Sequence, residues 1–148
     1  MRVRVAALAG VLVLLVAGCG GGGGDARLSK QEFQSQANAI CDKYQRQIDA
    51  LETPTSLDEI PDLVHQALAI LDKEIDEIEA LAPPEDMQGR LDALISESNK
   101  TKQAADELSA AAQSGDRAGV QKALDAGRAA SNRADQIAGE LGLAKCKG

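Results

Sequence analysis

The chain has 148 residues, with 23 acids against 16 bases for a net charge of −7, and carries one Phe, one Tyr and no Trp. So few aromatics argue against a β-sandwich, a base-stacking platform or an aromatic-lined cofactor pocket, and the acidic balance argues against a nucleic-acid partner, which requires concentrated basic surface. Alanine and leucine carry much of the 44% hydrophobic share, which favours helices, and the length fits one domain.

Met1-Arg2-Val3-Arg4 is a short basic head followed by the apolar run Val5 to Ala17. That run is shorter than the roughly 20 residues a helix needs to span hydrocarbon, but it matches a signal-peptide core of about 7–15. It ends in Leu15-Val16-Ala17-Gly18-Cys19, with small residues at the two positions before a cysteine. This arrangement resembles the lipobox of bacterial lipoproteins. The resemblance implies that residues 1–18 are a signal peptide cut between Gly18 and Cys19. It also implies a diacylglycerol thioether on Cys19 and acylation of the new amino group. The competing reading is an ordinary secretory signal cut one or two residues away, which leaves Cys19 a free thiol. Acyl chains contribute about 0.8 kcal/mol per buried methylene, so two or three of them anchor a protein stably where one does not. The expected location is the extracytoplasmic face of the cell membrane, with the membrane contacted through Cys19.

Residues 19–27 read as the lipidated cysteine and a tether, because the five glycines Gly20 to Gly24 cannot start a stable helix or strand. A flexible chain of roughly nine residues reaches about 15–18 Å, which holds the folded body near the membrane. Without Arg2 and Arg4 the 16 bases fall to 14 against 23 acids, a net charge of −9. Such a body is repelled by anionic lipids, so the tether alone is expected to hold it there.

Residues 28–148 are expected to form an all-α, antiparallel up-down four-helix bundle. The first helix begins at the capping box Ser29-Lys30-Gln31-Glu32, with Leu28 and Phe33 as the hydrophobic staple around it. Its apolar stripe is Phe33, Ala37, Ile40, Tyr44, Ile48 and Leu51, with Cys41 at the margin, and Thr53-Pro54 ends it. Ser56-Leu57-Asp58-Glu59 is a second capping box, but Pro61 lies too deep for a helix starting there. A short turn followed by a helix from about Pro61 resolves the conflict, with the stripe Val64, Leu68, Leu71, Ile75, Ile78 and Ala82.

Pro83-Pro84 breaks the chain, and the third helix starts at Pro84, with the stripe Met87, Leu91, Leu94, Ser98, Thr101, Ala105, Leu108 and Ala112 and a stop at Gly115. The fourth carries Val120, Leu124, Gly127, Ser131, Ala134, Ala138 and Leu141, then Gly142 as its terminal glycine. The middle of the seam between these two helices is small and partly polar, at Ser98, Thr101, Gly127 and Ser131. Close backbone approach explains it, or a modest polar cavity does, and Ser98, Thr101 and Ser131 are the ligand candidates in the second case.

Cys41 and Cys146 remain once Cys19 is set aside, an even number in an exported chain, which points to a disulfide in an oxidising compartment. Two free buried thiols are the alternative, and a catalytic or redox thiol is disfavoured without a C-x-x-C pair. To reach Cys41, the tail after Gly142 has to turn back along the bundle, with Leu143 packing on the way.

Other chemistry finds little support. Asp72, Asp76 and Glu79 lie in one row of the acidic run 72–79, and a single row cannot wrap a hard cation, so that run reads as a solvated face. His65 is the only histidine, which removes zinc and di-iron carboxylate sites, and Met87 alone makes no copper site. No phosphate-binding loop or nucleophile elbow is present. No metal, cofactor or catalytic residue is therefore expected.

The body also resembles small lipoproteins of high-GC Gram-positive bacteria, through Ala37-Asn38-Ala39-Ile40-Cys41, Leu81-Ala82-Pro83-Pro84 and Leu141-Gly142-Leu143-Ala144-Lys145-Cys146. That resemblance brings no activity with it. The expectation is a non-enzymatic, lipid-anchored envelope protein whose bundle binds or supports an envelope partner. The alternative is small-ligand binding in the seam between the third and fourth helices.

Overall fold

The computed structural model describes residues 27–148. The signal peptide of residues 1–18, the acylated Cys19 and the glycine tether lie outside the described residues. Those described form an all-helical chain with four α-helices: α1 (Lys30–Asp49), α2 (Ile60–Glu79), α3 (Glu85–Gln113) and α4 (Arg117–Leu141). Two 3₁₀ turns, Leu57–Glu59 and Ala144–Cys146, sit before α2 and after α4. Among the described residues no helix is long and apolar enough to cross a membrane.

The helices start and stop for local reasons. Ser29 Oγ accepts from the Glu32 N–H at 3.3 Å while Glu32 Oε2 accepts from the Ser29 N–H at 2.9 Å, which completes the expected capping box. α1 stops at Asp49, before Thr53-Pro54, so Leu51 lies beyond the helix rather than on its stripe. At α2 the second box does not form. Ser56 makes no side-chain cap, and the Glu59 carboxylate accepts from the Thr55 N–H at 2.7 Å instead. Leu57–Glu59 becomes a 3₁₀ turn and Pro61 falls in the first turn of α2, where its missing N–H costs nothing. Pro84 caps α3 from outside, so the helix begins one residue later than expected.

α3 and α4 both end in Schellman motifs, the left-handed closure that glycine permits. At α3 the Asp116 N–H reaches Ala111 O at 2.9 Å around Gly115, whose φ is +67°. At α4 the Leu143 N–H reaches Ala138 O at 2.8 Å around Gly142, whose φ is +77°. α4 opens at Asp116, whose Oδ1 accepts from the Gly119 N–H at 3.0 Å.

Cross-helix pairs show how the helices lie together as a bundle. Lys43 on α1 meets Glu77 on α2, Lys102 on α3 meets Asp72 on α2, and Arg90 on α3 meets Glu140 on α4. The Leu28 N–H donates to Ala82 O at 2.7 Å and Arg27 Nη1 to Pro83 O at 3.0 Å, which ties the entry to α1 against the α2–α3 link. α3 and α4 form the most extensive pairing, whereas α1 meets α4 chiefly through the returning tail.

The core lies towards the end where α1 begins and α4 finishes. It joins Phe33, Ala37, Cys41, Ile78, Met87, Leu91, Leu94, Ala138, Leu141 and Leu143. Two expected stripes are displaced in part. Cys41, placed at the margin of the α1 stripe, is 1% exposed and central, while Ile40 is only half-buried. On α4 Ala138 and Leu141 are buried as expected, but earlier in the helix Ala123 and Ala130 are buried in place of Leu124 and Ser131, and Leu124 is 37% exposed. Small alanines on α4 let α3 come close, and the larger neighbours rotate outward. A Cβ on Gly127 would sit 3.6 Å from Ala104 Cβ, an ordinary contact, so the approach of the two helices does not depend on that glycine.

Candidate functional site

The tail after α4 shapes the site. Leu143 is fully buried, and the turn Ala144–Cys146 lays Cys146 against α1, where it bonds to Cys41 across 105 residues of sequence. The returning tail therefore takes the route expected from Leu143. α1 side chains hold the same segment: Gln34 Nε2 donates to Leu141 O at 2.7 Å, Asn38 Nδ2 donates to Gly142 O at 3.2 Å, and Asn38 Oδ1 accepts from the Lys145 N–H at 2.8 Å. Helix ends leave carbonyls without internal partners, and α1 supplies those partners from the side.

Beyond the disulfide the two helix pairs are less tightly filled, and a cavity of about 340 Å³ opens between them. Cys41, Gln45 and Ile48 face it from α1; Leu68, Leu71, Glu74, Ile75 and Ile78 from α2; Leu94, Ile95, Ser98, Thr101 and Ala105 from α3; and Ser131, Ala134 and Asp135 from α4. Cys146 and Gly148 close one side. Its size lies at the lower end of the range of about 300–1,000 Å³ seen for ligand sites, and its wall is mainly aliphatic with a few polar groups, the usual pattern of a small-molecule pocket. A larger hollow, about 580 Å³, under the α1–α2 link is mostly polar loop surface, including Glu52, Thr53 and Thr55, and offers no comparable apolar wall.

Ser98, Thr101 and Ser131, the candidates from the sequence, do line one cavity. The cavity is not a seam between the third and fourth helices, however, since α1 and α2 supply much of its wall. Ser98 Oγ donates to Leu94 O at 3.1 Å and Thr101 Oγ1 to Glu97 O at 3.2 Å, within their own helix. Both protons are thus committed, and each oxygen presents its lone pairs as an acceptor.

Glu74 is the residue that the sequence reading passed over by assigning its segment to a solvated face. It is half-buried against the cavity, and burial pushes its carboxyl up to about 7, with no opposing ion pair or hydrogen bond. Its spacing was the available signal: Leu71, Glu74 and Ile78 are three and four residues apart, so an acid stands on the apolar face. The rest of the acidic run behaves differently. Asp72, Asp76 and Glu79 are exposed, and among the described residues no group of three or more His, Cys, Asp and Glu side chains converges to hold a metal ion. Glu77 turns to α1, where Lys43 Nζ donates to both its oxygens at 2.6 Å and Tyr44 Oη donates at 2.6 Å. Lys43 foremost, then Tyr44, hold the Glu77 carboxyl below its ordinary range. His65 is exposed on α2, away from the cavity wall.

No family model matches the sequence, and no curated protein or solved structure is significantly similar to it.

Proposed function

We propose that this chain is a cell-envelope lipoprotein, held on the extracytoplasmic face of the membrane by an acylated Cys19, whose antiparallel up-down bundle binds a small, largely apolar ligand without catalysing a reaction. The observation that carries the binding role is the 340 Å³ cavity between the helix pairs, with its aliphatic wall and the polar marks Glu74, Ser98, Thr101 and Ser131. It favours binding over a purely structural role, for which a filled interior would serve better. The Cys41–Cys146 bond supports export, because such bonds persist in oxidising compartments. The lipobox-like Val16-Ala17-Gly18-Cys19 supports the anchor, and the glycine run after it supports a tethered body.

Two measurements test this reading separately. A Cys19→Ala precursor expressed in a bacterial host should lose its membrane association, and recovery of the unaltered protein in the soluble envelope fraction overturns the anchor. 1-Naphthol, a neutral fluorophore small enough for this cavity, should change its emission on binding the purified body. An Ala134→Leu variant, which adds three carbons at the cavity wall, should abolish that response while keeping the helical circular dichroism. An equal response from the filled variant overturns the cavity as the site.

A further inference from the structure

We infer that the cavity selects a lipophilic amine: an aliphatic body with a protonated nitrogen, seated with the nitrogen against Glu74 and Asp135. This deepens, and rests on, the reading of the cavity as a ligand site. The argument is one of charge complementarity inside an apolar enclosure. The wall carries two carboxylates, Glu74 from α2 and Asp135 from α4, and no Lys, Arg or His. Two basic side chains of the elements that form the wall are engaged elsewhere, Lys43 with Glu77 and Lys102 with Asp72.

Two hydroxyls of α3 have the same bias. Ser98 and Thr101 have given their protons to helix carbonyls and offer only lone pairs. An anionic ligand, such as a fatty acid or a phosphate headgroup, would meet like charge from Glu74 and Asp135 with only the Ser131 hydroxyl and the second N–H of the Gln45 amide to offset its desolvation, whereas an ammonium brings three donors to the carboxylate, Ser98 and Thr101 acceptors. Asp135 Oδ1 also accepts from the Gly148 N–H at 3.2 Å, leaving its second oxygen free. Glu74 is unpaired and short of water, so it gains most from a cationic partner. At roughly 30 Å³ per water-sized group, 340 Å³ accommodates about a dozen non-hydrogen atoms, the size of a ten-carbon amine.

The test is calorimetric titration of the disulfide-intact body at pH 7.5 with decylamine, decanol and decanoate, each below its micelle concentration. Decylamine should bind at least ten-fold more tightly than decanol, and decanoate should bind more weakly than either. Glu74→Gln should bring decylamine to the level of decanol, and Asp135→Asn should weaken it less. Glu79→Gln, an equal charge change at an exposed position of α2, should leave affinity unaltered. If Glu74→Gln does not fold by circular dichroism, Asp135→Asn against Glu79→Gln gives the same comparison. Equal affinity for amine and alcohol, or equal loss in the Glu74 and Glu79 variants, overturns the cation preference while leaving the cavity as an apolar site. Binding of none of the three probes overturns the cavity reading itself, and this inference with it.

Discussion

Breaking the Cys41–Cys146 bond is the perturbation whose size follows most directly from the structure. The bond closes 105 residues, nearly the whole helical body, so it removes much of the freedom the unfolded chain would otherwise have. The chain-entropy relation puts closure of a loop that long at about 4–5 kcal/mol. A domain of about 120 residues shifts its melting temperature by roughly 3–5 °C per kcal/mol, so a Cys41→Ser/Cys146→Ser variant should melt about 12–25 °C lower. The folded state should change little, because Leu143 stays buried and Gln34 and Asn38 still hold the tail by hydrogen bonds. The expected result is therefore a native helical spectrum at 20 °C, a large fall in melting temperature and a steeper dependence on urea, since the freed unfolded chain exposes more surface. Reducing the unaltered protein should reproduce the fall. A shift under about 3 °C, with mobility unchanged by reduction, refutes both the bond and the entropic argument.

Two further predictions address the cavity and the caps. Glu74 has a folded-state carboxyl near 7 against an ordinary 4.5, so the native state binds the extra proton and its stability falls as pH rises from about 4.5 through 7. The loss is at most about 3 kcal/mol and nearer 1–2 once solvent at the open cavity mouth is counted, and Glu74→Gln should flatten urea-unfolding stability over that window. Below pH 4.5 stability should fall again as Glu77 and Glu32 lose the interactions that favour their charged forms, Lys43 and Tyr44 for the first and Ser29 for the second. A wild-type curve already flat between pH 5 and 7 contradicts the burial of Glu74. Gly142→Ala should cost about 2–3 kcal/mol in urea unfolding, because φ is +77° and a Cβ would collide with Gln34 Nε2, displacing its bond to Leu141. Gly127→Ala, with its nearest neighbour at 3.6 Å in mid-helix, should stabilise by about 0.5–1 kcal/mol, and an opposite ordering of the two refutes the packing described for α4.

The helices were legible in the sequence wherever the cause was local. The Ser29 box, the prolines at 61, 83 and 84, and the glycines at 115 and 142 act on their own neighbours, so their positions translate directly into ends and links, whereas α1 stops at Asp49, short of Pro54, and the Ser56 box gives way to the Glu59 carboxylate on Thr55. What depended on rotation was harder. Cys41 and Ile40 are adjacent on one helix, and the choice of which points inward rests on the tail that returns from α4 to meet α1. Likewise Leu124 satisfied the spacing but yielded its place to Ala123, the smaller residue, on the face that pairs with α3. The cavity was half visible: Ser98, Thr101 and Ser131 marked it from one side. Glu74 was hidden among acids that face solvent, since periodicity alone does not show that α2 stands away from α3 and α4 at that level.

Native mass spectrometry of the protein released from its own envelope in mild detergent tests the central claim most directly. The account predicts a chain beginning at Cys19 with the mass of a diacylglycerol thioether and acylated amine. It also predicts a non-covalent small-molecule adduct that disappears in the Ala134→Leu variant. An unacylated chain that starts elsewhere and carries no such adduct contradicts it.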